Sequence, residues 1–270
     1  MLTGLRESAY LNKCMKSFSL ISLLPVASFL LLLFLQSILP KRRLSNTDSS
    51  RVIHNILLFV VNTAIMRLAI PLTLISVAVW SAQTNFGLFH LLNLPSIVVL
   101  LVCVILLDLA VYWQHVATHY FPLLWRLHKV HHADHEMDVT TSIRFHPIEL
   151  LLSLAYKSVF VALLGAPVIA VIVFELLLFI GPAFNHSNLS LNASLDKMLR
   201  WVIATPDVHR SHHSTIIAEQ NTNYGFFLIW WDKLFGTYTQ NPSAGHLDMP
   251  IGLSDEKIER VDQMLIAPFR

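Results

Sequence analysis

The sequence predicts an all-α, multi-pass membrane helical bundle with a helical cap that carries a histidine-rich di-metal site. Three observations lead there. The 270 residues are 54% hydrophobic and only 13% charged, about half the charge of an ordinary soluble domain. The missing charge is concentrated in long apolar runs, as in a chain that meets lipid. Fourteen residues are histidine, and most of them crowd at helical spacing beside those runs.

Composition also sets limits. A formal net charge of +2 leaves no polybasic footprint for nucleic acid. The 17 acidic residues are too few and scattered for a calcium-binding surface. Cys14 and Cys103 lie in or beside apolar segments with no CxxC partner, so neither a disulfide scaffold nor a thiolate zinc site is supported. Any metal must be held mainly by nitrogen and oxygen.

Residues 18–39 (FSLISLLPVASFLLLLFLQSIL) carry no charge and can cross a hydrocarbon core of ~30 Å. With no A-x-A pattern after them, they read as a retained anchor rather than a signal peptide. In the next run, 53–80, Arg67 and Pro71 predict a kink or a partly interfacial course. The third, 95–113, leads straight into the first histidines. The fourth, 148–184, is too long for one crossing, and "LGAP" at 164–167 supplies the turn of a helical hairpin.

Lys41, Arg42, Arg43 and Arg51 fill the 41–51 loop, whereas 81–94 carries no charge. That asymmetry places 41–51 in the cytoplasm and 81–94 outside. The segments 114–147 and 185–270 then share the cytoplasmic face, as a common site requires. Arg6, Lys13 and Lys16 oppose this weakly at the N-terminus, whose side stays open. N-x-S triplets at Asn185, Asn188 and Asn192 would accept glycans only on a lumenal face; this topology makes them coincidental.

His115 and His119 are spaced i, i+4 and stack on one helix face. His128, His131 and His132 form H-x-x-H-H, and His209, His212 and His213 form it again. Thr205 and Pro206 predict a helix start, with threonine as cap and proline in the first turn. A lone histidine is usually a satisfied polar residue, the reading for His54, His90 and His246. These eight differ, because burying so many imidazoles needs a partner for each, and shared metal ligation supplies one. A pH sensor would need charged partners rather than a repeated H-x-x-H-H. Nitrogen shells suit zinc, iron, copper or nickel. A structural zinc site closes with four ligands, so eight or more imply two ions and favour a redox role.

Further residues fit the same centre. Asp108, Tyr112, His115 and His119 share one helical stripe. A carboxylate inside an apolar run is a functional candidate, so Asp108 is expected to accept the free N–H of a ligating histidine, or else to pair with Arg67. In "RFHPIE", His146 is a ligand or a cap, with Pro147 and Glu149 opening the next helix. His186 in "NHSN" sits where the hairpin returns to the boxes and is expected to ligate. His135 lies on an acidic segment and is expected to be solvated.

Taken in order, "DLAVYWQHVATH", "LHKVHHAD", "RFHPIE", "NHSN", "TPDVHRSHH" and "NYGFFLIWWDKLFGTY" resemble the fatty acid hydroxylase superfamily, which includes the sterol desaturases. The resemblance covers roughly residues 95–270 and leaves 1–94 as N-terminal membrane segments. It implies membrane helices at about 95–113 and 148–184 and cytoplasmic boxes at 115–146 and 186–213. It also implies two iron ions, held by His115, His119, His128, His131, His132, His209, His212 and His213 with His186 beside them. Some relatives have a further H-x-x-x-H before the last box. Here that position is Pro182, so either His146 fills the gap or the shell is smaller. Trp231, Asp232, Phe235 and Gly236 match the family, and Asp232, like Asp108, His146 and Glu149, is expected behind the ligands. The alternative for that stretch is an interfacial aromatic belt.

The resemblance implies an enzyme that takes dioxygen and electrons to hydroxylate or desaturate a lipid C–H bond, with hydroxylation preferred. Electrons would come from a separate reductase, ferredoxin or cytochrome b5-like donor, because the chain has no heme-attachment or nucleotide motif. Sterols, fatty acyl chains, sphingoid bases, ether lipids and carotenoids are all handled by relatives. A metal transporter would put its ligands at the bilayer midplane, and a bis-histidine heme protein would leave the triplets unexplained. A non-catalytic scaffold is the third rival; the intact boxes do not suggest it.

Overall fold

The computed structural model describes residues 23–44, 49–69 and 72–270. Cys14, the charged N-terminal stretch and residues 18–22 of the first apolar run lie outside the described residues. Regular structure among the described residues is helical apart from three isolated β-bridges. In chain order the helices are α1 (Leu23–Ile38), α2 (Ser49–Ala69), α3 (Leu74–Thr84), α4 (Leu88–Leu91), α5 (Ser96–Tyr120), α6 (Pro122–His132), α7 (Pro147–Leu164), α8 (Val168–Asn185), α9 (Ala193–Leu199), α10 (Pro206–His212), α11 (Ile217–Gln220), α12 (Trp230–Phe235), α13 (Gly245–Asp248) and α14 (Val261–Ile266). By length and composition, the four helices α2, α5, α7 and α8 can cross a membrane.

Two boundaries differ from the sequence expectation. The 53–80 run is two helices. Thr73 starts α3 with a capping box, accepting from the Ser76 N–H while Ser76 Oγ accepts from the Thr73 N–H. Helix α5 continues seven residues past the expected end at 113. No breaker intervenes before Pro122, which forces Phe121 into an extended conformation and restarts the chain as α6. His115 and His119 therefore ride on the membrane helix itself.

α5 is the axis, packed by α6, α7 and α8, while α3 covers α7 and α8. Their shared core is apolar: Leu74, Ala78, Cys103, Leu107, Val161, Ala170 and Phe174 are all buried. The outward faces are apolar too, with Leu30, Phe34, Ile97, Leu101, Val159 and Leu163 exposed, as lipid contact requires.

The two ends differ in chemistry. At the histidine end the basic loop is pinned down. The Lys41 N–H donates to the Asn188 carbonyl at 2.9 Å, and Lys41 Nζ meets Asp207 at 2.7 Å. Asn185 and Asn188 are buried, their amides spent on the carbonyls of Phe226 and Arg42.

At the other end, the α7–α8 turn at Gly165 (φ +66°) meets Gly87 (φ +111°). A Cβ on Gly87 would lie 2.2 Å from the Gly165 nitrogen and 2.4 Å from its Cα, both backbone atoms. Gly87→Ala is expected to destabilise by about 2–4 kcal/mol, through overlap and positive-φ strain together. Gly236→Ala, whose Cβ meets nothing within 4 Å, is expected to cost only about 1 kcal/mol. Thermal unfolding in detergent checks the order.

Candidate metal centre

The nine histidines expected as ligands lie at one end of the bundle in two groups. His115, His119, His128, His132 and His212 each offer one nitrogen within 4.8 Å of the others, and His131, His186, His209 and His213 do the same. Helical spacing explains the sorting. His128 and His132 are four apart on α6 and face α5, where His115 and His119 are also four apart. His131 turns to the other side, toward His186 at the C-terminus of α8. On α10, His212 joins the first group, while His209 and the capping His213 join the second. The groups touch: the His132 and His213 rings stack with centroids 4.5 Å apart.

All nine rings are buried except His119, which is partly exposed. Burial holds His131, His132, His209, His212 and His213 well below the ordinary imidazole value, and His186 at about 4. Neighbouring imidazoles add to the effect. Near neutral pH these rings are uncharged lone-pair donors, as ligation requires.

Hydrogen bonding tests whether the donor set fits a cation. His115 Nδ1 lies 2.7 Å from the Tyr224 carbonyl, and His128 Nδ1 lies 2.7 Å from Glu149 Oε1. Both Nδ1 atoms must therefore carry the proton. Their Nε2 lone pairs then face each other at 3.2 Å, an arrangement that a shared cation makes favourable. With metal–nitrogen bonds of about 2.1 Å, neighbouring ligands at right angles lie about 3.0 Å apart. His132 and His213 are buried with both nitrogens lacking a hydrogen-bond partner, and His119 Nε2 and His212 Nε2 lack one as well. Buried imidazoles so left are costly; metal ligation relieves them together.

The supporting groups are partly those expected. Glu149 backs His128 and, in the first turn of α7, also suits the positive end of the helix dipole. Asp232 touches no ring. Its carboxylate, pushed up to about 6 by burial, accepts the Tyr224 and Gly225 N–H groups and the Thr237 hydroxyl at 2.7–2.8 Å. It thereby fixes the turn whose Tyr224 carbonyl orients His115. Asp108 corrects the expectation: it accepts the Trp231 indole N–H at 2.7 Å, not a histidine; Trp231 on α12 packs with Tyr112, which stands one turn along α5 between Asp108 and His115.

Of the two readings left open for His146, ligand or cap, the structure shows the cap. His146 caps α7, its Nδ1 accepting from the Ile148 N–H at 3.2 Å while Nε2 faces the Leu265 carbonyl, so neither nitrogen is spare for the gap at Pro182. Pro182 instead contributes its carbonyl, which holds His186 Nδ1 at 2.7 Å. Thr205 stands at the α10 N-cap, but its side chain makes no capping bond. His135 is half-exposed and meets Glu259 at 3.0 Å. The acids around it are not a solvated face: Asp134, Glu136 and Asp138 are buried.

Several supports were not anticipated. Thr222 offers its carbonyl to His212 Nδ1 at 2.7 Å, and Asn221 faces His119 Nδ1 at 3.2 Å. Phe145 stacks on His131 with centroids 4.4 Å apart. None has a spacing signal, since they act through a backbone carbonyl, a lone side-chain amide oxygen and a single ring face. Glu149→Ala is expected to weaken metal affinity ~10–100-fold, with a smaller loss in Glu149→Gln, whose amide oxygen still accepts. Chelator competition on purified protein reads both.

The fatty acid hydroxylase family matches residues 100–237. The chain is 32% identical over 168 residues to an ornithine lipid hydroxylase of Rhizobium tropici, covering 61% of this chain and 48% of that protein. It is 31% identical over 131 residues to the alkylglycerol monooxygenase of Xenopus tropicalis, covering 48% and 28%. It is 27% identical over 151 residues to the cholesterol 25-hydroxylase of Rattus norvegicus, covering 54% and 49%. The chain thus spans about half or less of the length of these relatives. No solved structure matches.

Proposed function

The chain belongs to the fatty acid hydroxylase family, and on that premise we propose that it is a membrane-embedded di-iron oxygenase that hydroxylates a C–H bond of a lipid. The observation that carries this is the sorting of nine histidine nitrogens into a five and a four, next to an apolar cavity within the membrane-crossing helices. Bound iron supplies reductive activation of dioxygen at an unactivated carbon. Electrons come from an external donor such as a reductase, ferredoxin or cytochrome b5-like protein. The basic 41–51 loop shares the histidine end, which supports a cytoplasmic placement of the centre.

The chain's own residues bind, orient and exclude water. A cavity of about 200 Å³ lies among α2, α5, α7 and α8, and its inner end is formed by Phe145, Glu149, Pro182 and Phe226. Each of these also touches a ligating histidine: Glu149 and Pro182 by hydrogen bond, Phe145 by stacking on His131, Phe226 edge-on to His115. A lipid chain in the cavity is therefore presented to both groups while aromatic rings keep bulk water out. The relatives named for ornithine lipid, alkylglycerol and cholesterol support a lipid substrate without choosing among head groups.

The test is expression in a host lacking the activity, under isotopically labelled dioxygen. The lipid extract is expected to contain a species with one labelled oxygen atom, absent with the His131→Ala/His212→Ala variant. Unchanged lipids from cells holding iron-loaded protein and a competent donor would overturn the reading.

A further inference from the structure

Beyond Glu149 in the first turn of α7, the hairpin carries two charges: Lys157 on α7 and Glu175 on α8, each nine residues from position 166 in the turn. Their opposite charges act on each other across the hairpin without forming a direct ion pair. An ionisable pair at this depth is costly and marks a functional locus. Lys157 also lines the cavity that runs to the histidines. It stands eight residues from Glu149, about 12 Å further along the helix axis.

Glu149, Ser153 and Lys157 fall at i, i+4 and i+8, so one stripe of α7 faces the cavity with polar groups. Gln114 stands opposite, and its Oε1 accepts a hydrogen bond from the Ser153 hydroxyl at 3.2 Å. The Gln114 amide N–H groups and the three N–H bonds of the Lys157 ammonium make five donors on this wall, whereas its one unpartnered carboxylate oxygen is Glu149 Oε2, at the far end of the stripe. A plain hydrocarbon offers them nothing.

The geometry points to a subsite in which Lys157, with Gln114, binds an oxygen of the lipid substrate, a hydroxyl or carbonyl set apart from the carbon presented to the histidines. Lys157 is a specificity-determining residue there: it fixes which carbon reaches the centre by holding the chain at a second point. The inference rests on the lipid-oxygenase reading only for the identity of the occupant, so its test is a binding measurement.

The full chain, iron-loaded in nanodiscs, is incubated with labelled stearyl alcohol or labelled octadecane, and retained probe is counted. Wild type is expected to retain the alcohol over the alkane, each corrected for empty nanodiscs. Excess unlabelled alcohol, but not alkane, is expected to displace it. Lys157→Met is expected to lose alcohol retention about tenfold with alkane retention unchanged, and Lys157→Arg to keep it. Equal retention of both probes by wild type overturns the subsite, a result that needs no variant to fold. So does a Lys157→Met protein with wild-type iron and unfolding temperature that loses both probes equally or neither. Selective alcohol binding upholds the subsite even if the labelled-dioxygen test with a competent donor yields no product and sinks the oxygenase; labelled product in that test without selective binding does the reverse.

Discussion

Replacing His131 and His212 together with alanine is expected to leave the purified protein without iron and without activity. Wild type is expected to carry about two iron atoms per chain, one for each nitrogen group. The variant takes one donor from each group, reducing five to four and four to three. Loss of an outer-sphere partner typically weakens metal affinity ~10–100-fold, and loss of a direct ligand exceeds that. Elemental analysis of detergent-solubilised protein reads the outcome. One heme per chain, or iron retained by the double variant, would contradict the assignment of these nitrogens.

Arg144→Met is expected to be among the most destabilising single substitutions. Arg144 is 1% exposed and has no solvent to fall back on. Its Nε donates to the Val130 carbonyl at 2.7 Å, one Nη to Asn55 at 3.1 Å and the other to the Ile258 carbonyl. Beside it the buried Asp134 receives Arg51, Asn55 and Thr141, and Arg51 also holds Asp138. Desolvation disfavours the Asp134 carboxylate, but Arg51 and Arg144 outweigh it and hold the group well below the usual range. Removing one partner from such a buried network costs about 3–5 kcal/mol. Because Val130 and Asp134 flank His131 and His132, the same variant is expected to lower iron retention. Breaking the exposed Arg260–Asp262 pair should leave the unfolding transition unchanged.

The sequence carried the features that depend on period. Apolar run lengths located the hairpin, and the three- and four-residue spacing of histidines placed their rings on common faces. "LGAP" marked the turn because Gly165 can take positive φ and Pro167 can start the next helix. Pairings across long separations were not legible. Asp108 could have served a histidine, Arg67 or, as it does, Trp231, 123 residues away, and nothing in a stripe on α5 selects among them. The acidic segment around His135 looked like a solvated surface because Arg51 and Asn55, which bond Asp134, are 83 and 79 residues away in the chain. Lys157 and Glu175 did leave a signal, two charges deep in the apolar runs and symmetric about the turn.

α5 is 25 residues long, a rod of about 37 Å whose outer stretch faces lipid and whose last turns hold His115 and His119. No joint separates the two parts. Lipid thickness acts on such a rod directly, since a helix longer or shorter than the local hydrocarbon tilts to fit. Tilting α5 moves His115 and His119 of one group, whereas the membrane-crossing α8 carries a single nitrogen of the other, His186 at its C-terminus. The bilayer is thus geared unequally to the two halves of the centre.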